Sequence, residues 1–575
     1  VTSQRRVVAA IDFGTHGTGF AWATVSRENT ILQERRINYF DLWGQQTIAA
    51  AKNRSAVLVE AADGRYVTWG YQAVDMMNEP SSQERYRLKI GFKMALQPDP
   101  WGTPSIGGEA GLTIADAAAD SYHLAVYVLR QVYVLACDVI TRGPYVEDDI
   151  AWCITIPAIW EQLTRDVMYK AAVDAGLPND PDRLLLVKEP AAAALYCVAK
   201  GDILLNQPGT RFMVIDAGGG TLDITSYLVD DGGRLHELAA PNGERAGSEY
   251  LNRAFMDDVL TPQLGADFIS HTLSRNRGCL SAVMDTWERA KRVFAPGQQT
   301  DIVIPLSAPL YAALVRYRTS AGASTEEIDD LDTEIVVPYD DAARIFDKVV
   351  DQTIVHVESC LREMRELSRA IGGEVAVLVG GFAESPYLQA RLRTLLRSRD
   401  VQLLIPERPS VAVLAGAVHF AYDSSTFLTW RAPFTCGVSV NMPFREGQDP
   451  VERKVVGSGD RQLCRDRFDV FVENRQSIGE GHSVTRPYYP VFESQREIVF
   501  NLLSCPRADV QYADDSDVKI LATLRVDLSA SMHLPAAQRG TELTMHFGQG
   551  RITASAKNCL TGTEHAADIE WRPTW

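Results

Sequence analysis

The sequence predicts an α/β protein: a duplicated, two-lobed unit followed by an all-β sandwich. Three observations predict it. A short glycine hairpin behind an apolar strand occurs twice, at the start of each half of residues 1–422. Around and between the hairpins, helical apolar spacing alternates with short buried-strand runs. From about Leu428 the helical spacing stops, and alternating runs separated by turn residues take over.

The first lobe opens with the apolar run Val7–Ile11 and the hairpin Ile11-Asp12-Phe13-Gly14-Thr15-His16-Gly17-Thr18-Gly19. An amphipathic helix is expected from Ile114 to Ile140, with Ile114, Ala118, Tyr122, Ala125, Leu129, Val132 and Leu135 on one face. Thr113 to Asp116 has the spacing of a capping box. A strand over Trp152–Ile156 stops at Pro157, and a helix over about 161–175 and a strand over Leu184–Val187 follow. The second lobe repeats the opening with Phe212–Ile215 and the hairpin Ile215-Asp216-Ala217-Gly218-Gly219-Gly220-Thr221-Leu222-Asp223. Helices are expected at about 249–259, 281–294 and 342–370, then a strand over Val375–Val379 ending in Gly380-Gly381. The six acidic residues between Glu326 and Glu334 read as an exposed loop rather than a metal site. Strand runs follow at 436–440, 468–472, 497–502, 518–528, 542–547 and 551–556. The expected boundaries are lobe I over 1–205, lobe II over 206–422, a linker over 423–434, and a sandwich over 435–575 with no helical lid.

The hairpins carry the chemistry. Glycine permits positive φ and close backbone approach, so turn amides can point at a phosphate. An Asp at the strand end suits a hydrated Mg²⁺, and a Thr hydroxyl reaches a phosphate oxygen. Facing each other, two such hairpins would clamp a polyphosphate. Either hairpin alone is also compatible with a plain strand–turn–strand. Glu189, beside Pro190, reads as a helix N-terminal acid or as a site residue. Glu288, Lys291 and Arg292 have the spacing of a solvated ion-paired helix face or of a nucleoside-contacting one. His16 is either a phosphate ligand or a neutral turn residue. Trp22, Trp43 and Trp152 read as core.

Composition narrows the class. The 57 basic and 74 acidic residues leave a net charge of −17, which argues against a broad nucleic-acid surface. No apolar stretch reads as long enough to span a membrane, and residues 1–6 lack a secretory apolar region. The nine scattered cysteines have no metal-ligand spacing, and Cys153, Cys197 and Cys436 lie in apolar runs. They read as buried thiols in a reducing, cytoplasmic setting. Asn53-Arg54-Ser55 is a glycosylation sequon by pattern alone.

Further blocks then fall in the order of the actin-like (ribonuclease H-like) ATPase superfamily, in its Hsp70 branch. They are Ile154–Ala158, Lys188-Glu189-Pro190-Ala191-Ala192-Ala193-Ala194, Gly247-Ser248-Glu249, Glu288-Arg289-Ala290-Lys291-Arg292, Leu378 to Pro386, and Gly416-Ala417-Val418. The Gly-Gly-Phe-Ala-Glu-Ser variant resembles the divergent heat-shock protein 12-type group. Phe471–Ile478 and Gly548–Ile552 carry a weaker resemblance to a substrate-binding β-sandwich. The resemblance implies ATP or ADP, Mg²⁺ and K⁺ as ligands, slow ATP hydrolysis, and a protein client with co-chaperone or exchange-factor partners. It implies that Asp12 and Asp216 organise Mg²⁺ through waters, with Asp216 also orienting the attacking water and Glu189 near the γ-phosphate. Gly14, Thr15, His16, Gly17, Gly218, Gly219, Gly220 and Thr221 would meet phosphates. Asp223 would support K⁺ or the second hairpin. Gly247, Glu288, Lys291 and Arg292 would line the nucleoside, with Gly380, Gly381 and Ser385 at the base. Lys93 is the match to the family's catalytic lysine, with Lys89 as the alternative. Glu384 falls where the family has an adenine-stacking Arg, and the family's acidic-and-leucine linker is missing. Two other functions stay open: a nucleotide-dependent scaffold or regulator with little turnover, and a small-molecule kinase or biosynthetic enzyme on the same fold.

Overall fold

The computed structural model describes residues 5–26, 32–44, 50–79, 85–97, 114–160, 162–201, 205–239, 242–244, 246–275, 280–298, 300–367, 373–424, 427–432, 434–479, 481–548 and 551–568. They form two compact units. The first comprises Val1–Trp160, Tyr169–Val229 and Pro241–Ser424; the second comprises Glu161–Met168, Asp230–Ala240 and Ser425–Trp575.

Two sheets of the same topology organise the first unit. In one, the fully buried strand Val7–Phe13 runs antiparallel to Gly17–Thr24 and parallel to Ile150–Ile156, which is parallel to Leu184–Lys188. In the other, Arg211–Ala217 runs antiparallel to Leu222–Val229 and parallel to Glu374–Val379, which is parallel to Gln402–Leu404. Val7–Phe13 and Ile150–Ile156 are apolar runs broken at Asp12 and Thr155, with every residue buried, as central strands covered on both faces require. The duplication expected from the two hairpins is therefore a duplication of strand order.

Helices fall close to their expected places, at Ile114–Thr141, Gln162–Ala175, Ser281–Val293 and Tyr339–Leu367. Thr113, the expected cap, lies outside the described residues. The segment Asp120–Thr141 is apolar and long enough to cross a membrane, contrary to the sequence reading. Its Leu124, Val128, Leu129, Val132, Ala136 and Ile140 are buried, the pattern of one face of a core helix. The acidic run also differs from expectation: Thr325–Asp329 is a short helix, because Ser324 and Glu327 form a capping box. Ala56–Glu60, Tyr66–Trp69 and Tyr86–Ile90 form a small extra sheet under the helix Tyr71–Asn78, around Leu58, Ala73, Met77 and Tyr86. Trp43 and Trp152 are buried, and Trp22 stacks on Phe20.

In the second unit, residues 427–431 of the expected linker form a strand parallel to Leu235–Glu237. A five-stranded antiparallel sheet and a four-stranded one follow. Val438, Phe471, Phe500 and Leu524 of the first share one buried cluster with Leu543, Met545 and Ala554 of the second. Cys153, Cys197, Cys360, Cys436, Cys464 and Cys505 are buried free thiols, and none of the described cysteines is disulfide-bonded.

Back in the first unit, the helices Glu189–Ala199 and Ala412–Tyr422 pack against each other without a side chain between them at Gly416. A Cβ there would lie 1.6 Å from the Ala192 carbonyl oxygen. Gly416→Ala forces backbone apart and is expected to cost about 1–3 kcal/mol or more. Chemical denaturation checks this; an unchanged midpoint would contradict the contact.

Candidate functional site

The site grows from the ends of the two paired strands. Asp12 lies opposite Gly19 in the first hairpin, and Asp216 lies opposite Asp223 in the second. Both aspartates are nearly fully buried. Asp12 Oδ1 accepts from the Thr155 hydroxyl at 2.9 Å, and its Oδ2 pairs with Lys52 Nζ at 2.6 Å. Glu189 starts the helix after Leu184–Lys188 and pairs with Lys93 Nζ at 2.5 Å. Asp223 accepts the amides of Ala158 and Ile159 at 2.9 and 3.3 Å, which ties the turn after Pro157 to the second hairpin.

The two hairpins face each other at contact distance. A Cβ on Gly219 would lie 3.0 Å from His16 Cβ, and one on Gly220 would lie 2.7 Å from Thr15 Oγ1. A side chain on either glycine would press on the side chains of His16 and Thr15, so glycine eases the close approach of the second turn. Ser55 braces the first hairpin: its hydroxyl donates to Gly14 O at 2.6 Å and its amide to His16 O at 3.0 Å. Gly218 N–H closes the second hairpin onto Thr221 O at 2.9 Å. The amides of Ser248 and Glu249 dock on the carbonyls of Gly218 and Gly219, and a Cβ on Gly247 would lie 2.1 Å from Gly219 O. Gly380, at φ +92°, brings its backbone beside Asp216, where a Cβ would lie 2.5 Å from Oδ1. Gly17 pairs with Arg54 across a short bridge, and Gly381 has open space around its Cβ position.

Glu288 and Lys291 sit together as expected, 2.8 Å apart. Their hub, Asn252, was not singled out. It donates to Glu249 at 3.0 Å and to Glu288 at 2.8 Å, and it accepts from Lys291 at 2.6 Å and Trp287 Nε1 at 3.1 Å. Its signal was available in the i,i+3 step from Glu249. His16 Nδ1 lies 3.4 Å from Glu249 Oε2. Arg292 is exposed, yet its charge is felt at His16. The Ser385 hydroxyl caps the helix Pro386–Ser398 by accepting from Leu388 N–H, and Glu384 is exposed. Lys89, the alternative to Lys93, pairs with Asp120. Lys52 and Thr155 join the site through strand pairing and carry no local sequence signal for it. Asn53 of the sequon is buried and accepts from Tyr71 N–H at 2.8 Å, so it serves the fold rather than a glycan.

Four buried carboxylates meet two lysines here. Burial pushes Glu189 up to about 7 against the pull of Lys93, with Asp223 and Asp12 adding to the push. Burial, then Glu189, Asp223 and Asp12, raise Asp216 well above the usual carboxylate range. Asp223 is raised by burial, opposed by Thr221 and the Ile159 amide. Burial alone would lower Lys52, but Asp12, Asp216 and Glu189 outweigh it and hold its ammonium more firmly protonated. Burial lowers His16 to about 4, helped by Arg54, so its imidazole is neutral at pH 7. Asp223 Oδ2 is buried without a hydrogen-bond partner. Hard oxygen donors in excess over lysines suit a hydrated Mg²⁺, so the residues present fit that ion.

A carboxyl whose pKa is raised on folding stabilises the fold below its unfolded value and loses that contribution as pH rises through the folded value. In EDTA, Tm of the protein is therefore expected to fall between about pH 5 and pH 7.5. Asp216→Asn should flatten that fall. An equally steep fall in the variant would contradict the assignment.

Residues 141–421 match the family model described as Hsp70 protein. The chain is 27% identical to mouse heat shock 70 kDa protein 12A, over 98% of this chain and 91% of that protein. It is 26% identical to human heat shock 70 kDa protein 12B over the same shares. It is also 23% identical to the chaperone protein dnaK of Cyanidium caldarium, over 72% of this chain and 58% of that one. The chain thus carries a match to the Hsp70 family model over a stretch that contains the second hairpin, and it is similar along nearly its whole length to heat shock 70 kDa proteins 12A and 12B.

Proposed function

We propose that the chain binds ATP and ADP with Mg²⁺ between the two hairpins, hydrolyses ATP slowly, and couples nucleotide state to a protein client or partner. The observation that carries this reading is the opposition of Gly219 and Gly220 to His16 and Thr15, with Asp12 and Asp216 directly behind. The Hsp70 family has an actin-like, two-lobed ATPase fold and binds ATP or ADP with Mg²⁺, and the repeated sheets agree with it.

The roles follow from position. Amides of residues 14–17 and 218–220, with the hydroxyls of Thr15 and Thr221, would hold phosphate oxygens. Asp12 and Asp216 would hold Mg²⁺ through waters. When bound, the ion neutralises charge on the phosphoryl oxygens. Asp216 would orient the attacking water, with Glu189 beside it on Lys93. Phosphoryl transfer needs mostly positioning and charge neutralisation, so this set suffices for a slow reaction. Asp223 supports the second hairpin, and its remaining oxygen suits K⁺. Glu288, Lys291 and Arg292 would meet the nucleoside, with Gly380, Gly381 and the Ser385 backbone at the base. The two antiparallel sheets that share a core would form a β-sandwich and take the client. The buried thiols support a reducing, cytoplasmic setting.

One observation favours a second reading, a nucleotide-dependent scaffold with little turnover. Exposed Glu384 stands where the resemblance puts a cation for adenine.

Single-turnover hydrolysis of Mg·ATP, with ADP affinity measured on the same sample, separates the two. Asp216→Asn is expected to slow hydrolysis by about 100-fold or more while leaving ADP affinity within a few-fold. Binding without hydrolysis in the wild type would select the scaffold. No binding would overturn both. Lys291→Ala is expected to weaken ADP by about 10-fold, or about 1.4 kcal/mol.

A further inference from the structure

Lys52 belongs to neither the expected site nor the family motifs quoted above, yet its ammonium reaches the buried carboxylate of Asp12. The bridge between Asn53–Arg54 and Gly17–Thr18 sets its place: Asn53 pairs with Thr18, so Lys52 follows beside Gly19. Asp12 pairs with Gly19 from the other side. Gly19 therefore lies between an acid and a base on adjacent strands and puts no side chain between them. A Cβ on Gly19 would lie 3.0 Å from Lys52 Cγ, and one on Gly17 would lie 3.3 Å from Lys52 Cβ. Both hairpin glycines thus clear the path of the lysine stem. The ammonium ends 2.6 Å from Asp12 Oδ2, and the Thr155 hydroxyl holds Oδ1 at 2.9 Å. Asp12 thus has one oxygen hydrogen-bonded by Thr155 and the other set against a full positive charge.

We propose that Lys52 is a built-in counter-cation of the phosphate cleft. In the nucleotide-free chain its ammonium holds the edge of Asp12 that a hydrated divalent ion would contact, so it sets how tightly that ion binds there. The competition for Asp12 does not depend on the nucleotide reading; a role beside phosphate does. An ammonium and a hydrated metal ion compete for one carboxylate edge. An ammonium also offers donors to a phosphate, which a carboxylate alone repels. Removing the charge leaves Asp12 buried and unpaired, a state that a divalent ion relieves.

The test begins with Mn²⁺ binding to the nucleotide-free full chain, followed by the electron paramagnetic resonance signal of free Mn²⁺. Lys52→Met keeps the stem length and removes the charge, and is expected to bind Mn²⁺ about 10-fold tighter than wild type or better. Adding Asp12→Asn should abolish the gain, and Lys52→Arg, which keeps the charge, should show none. Mn²⁺ should also raise Tm of Lys52→Met more than that of wild type. Equal Mn²⁺ affinity in Lys52→Met and wild type would overturn the proposal. ADP binding is not read in this test, so failure of the nucleotide reading leaves its outcome unchanged.

Discussion

The candidate site depends on the contact between two glycine turns. Gly219 and Gly220 lie against the side chains of His16 and Thr15, where an added Cβ would crowd them. The strands behind them are fixed by burial: Val7–Phe13 is wholly inside, and Arg211–Ala217 nearly so. Strand burial sets the register, the register sets Asp12 and Asp216 at the strand ends, and the turns hold amides in front of them. Hydrogen bonds from Ser55, Ser248 and Glu249 then pin the turns from outside. Precise placement of this kind is what phosphoryl chemistry requires.

The second constraint is charge. Burying four carboxylates is unfavourable unless cations answer them, and Lys52 and Lys93 answer only part. The remainder shows as raised proton affinity at Glu189, Asp216 and Asp223. Such a cluster is poised to take up positive charge, whether proton, metal or ammonium. Asn252 threads Glu249, Glu288 and Lys291 into one hydrogen-bonded network, where Lys291 holds Glu288 down against burial while burial raises Glu249. A ligand there would exchange partners within a formed network.

Much of this was legible in the sequence because its signals are local. Apolar runs ending in Asp and glycine mark the hairpins, and apolar spacing marks the long helices to within a few residues. Glu288 and Lys291 are three apart on one helix, so their pairing could be read directly. What stayed hidden depends on pairing between distant segments. Lys52 lies 40 residues from Asp12, and the two are joined through the pairing of Asn53–Arg54 with Gly17–Thr18. Thr155 reaches Asp12 only because Ile150–Ile156 lies parallel to Val7–Phe13. The membrane-length apolar helix and the capped acidic helix differ from these, because their signals are local, at Asp120–Thr141 and at Ser324 with Glu327.

The central idea is that two hairpins grip the phosphates from opposite sides while the nucleoside network adds less. Calorimetric titration of adenosine, AMP and ADP in Mg²⁺ tests it most directly. Affinity is expected to climb steeply with phosphate number, with ADP at least about 100-fold tighter than AMP, some 2.7 kcal/mol. Equal affinity for adenosine and ADP would contradict the clamp.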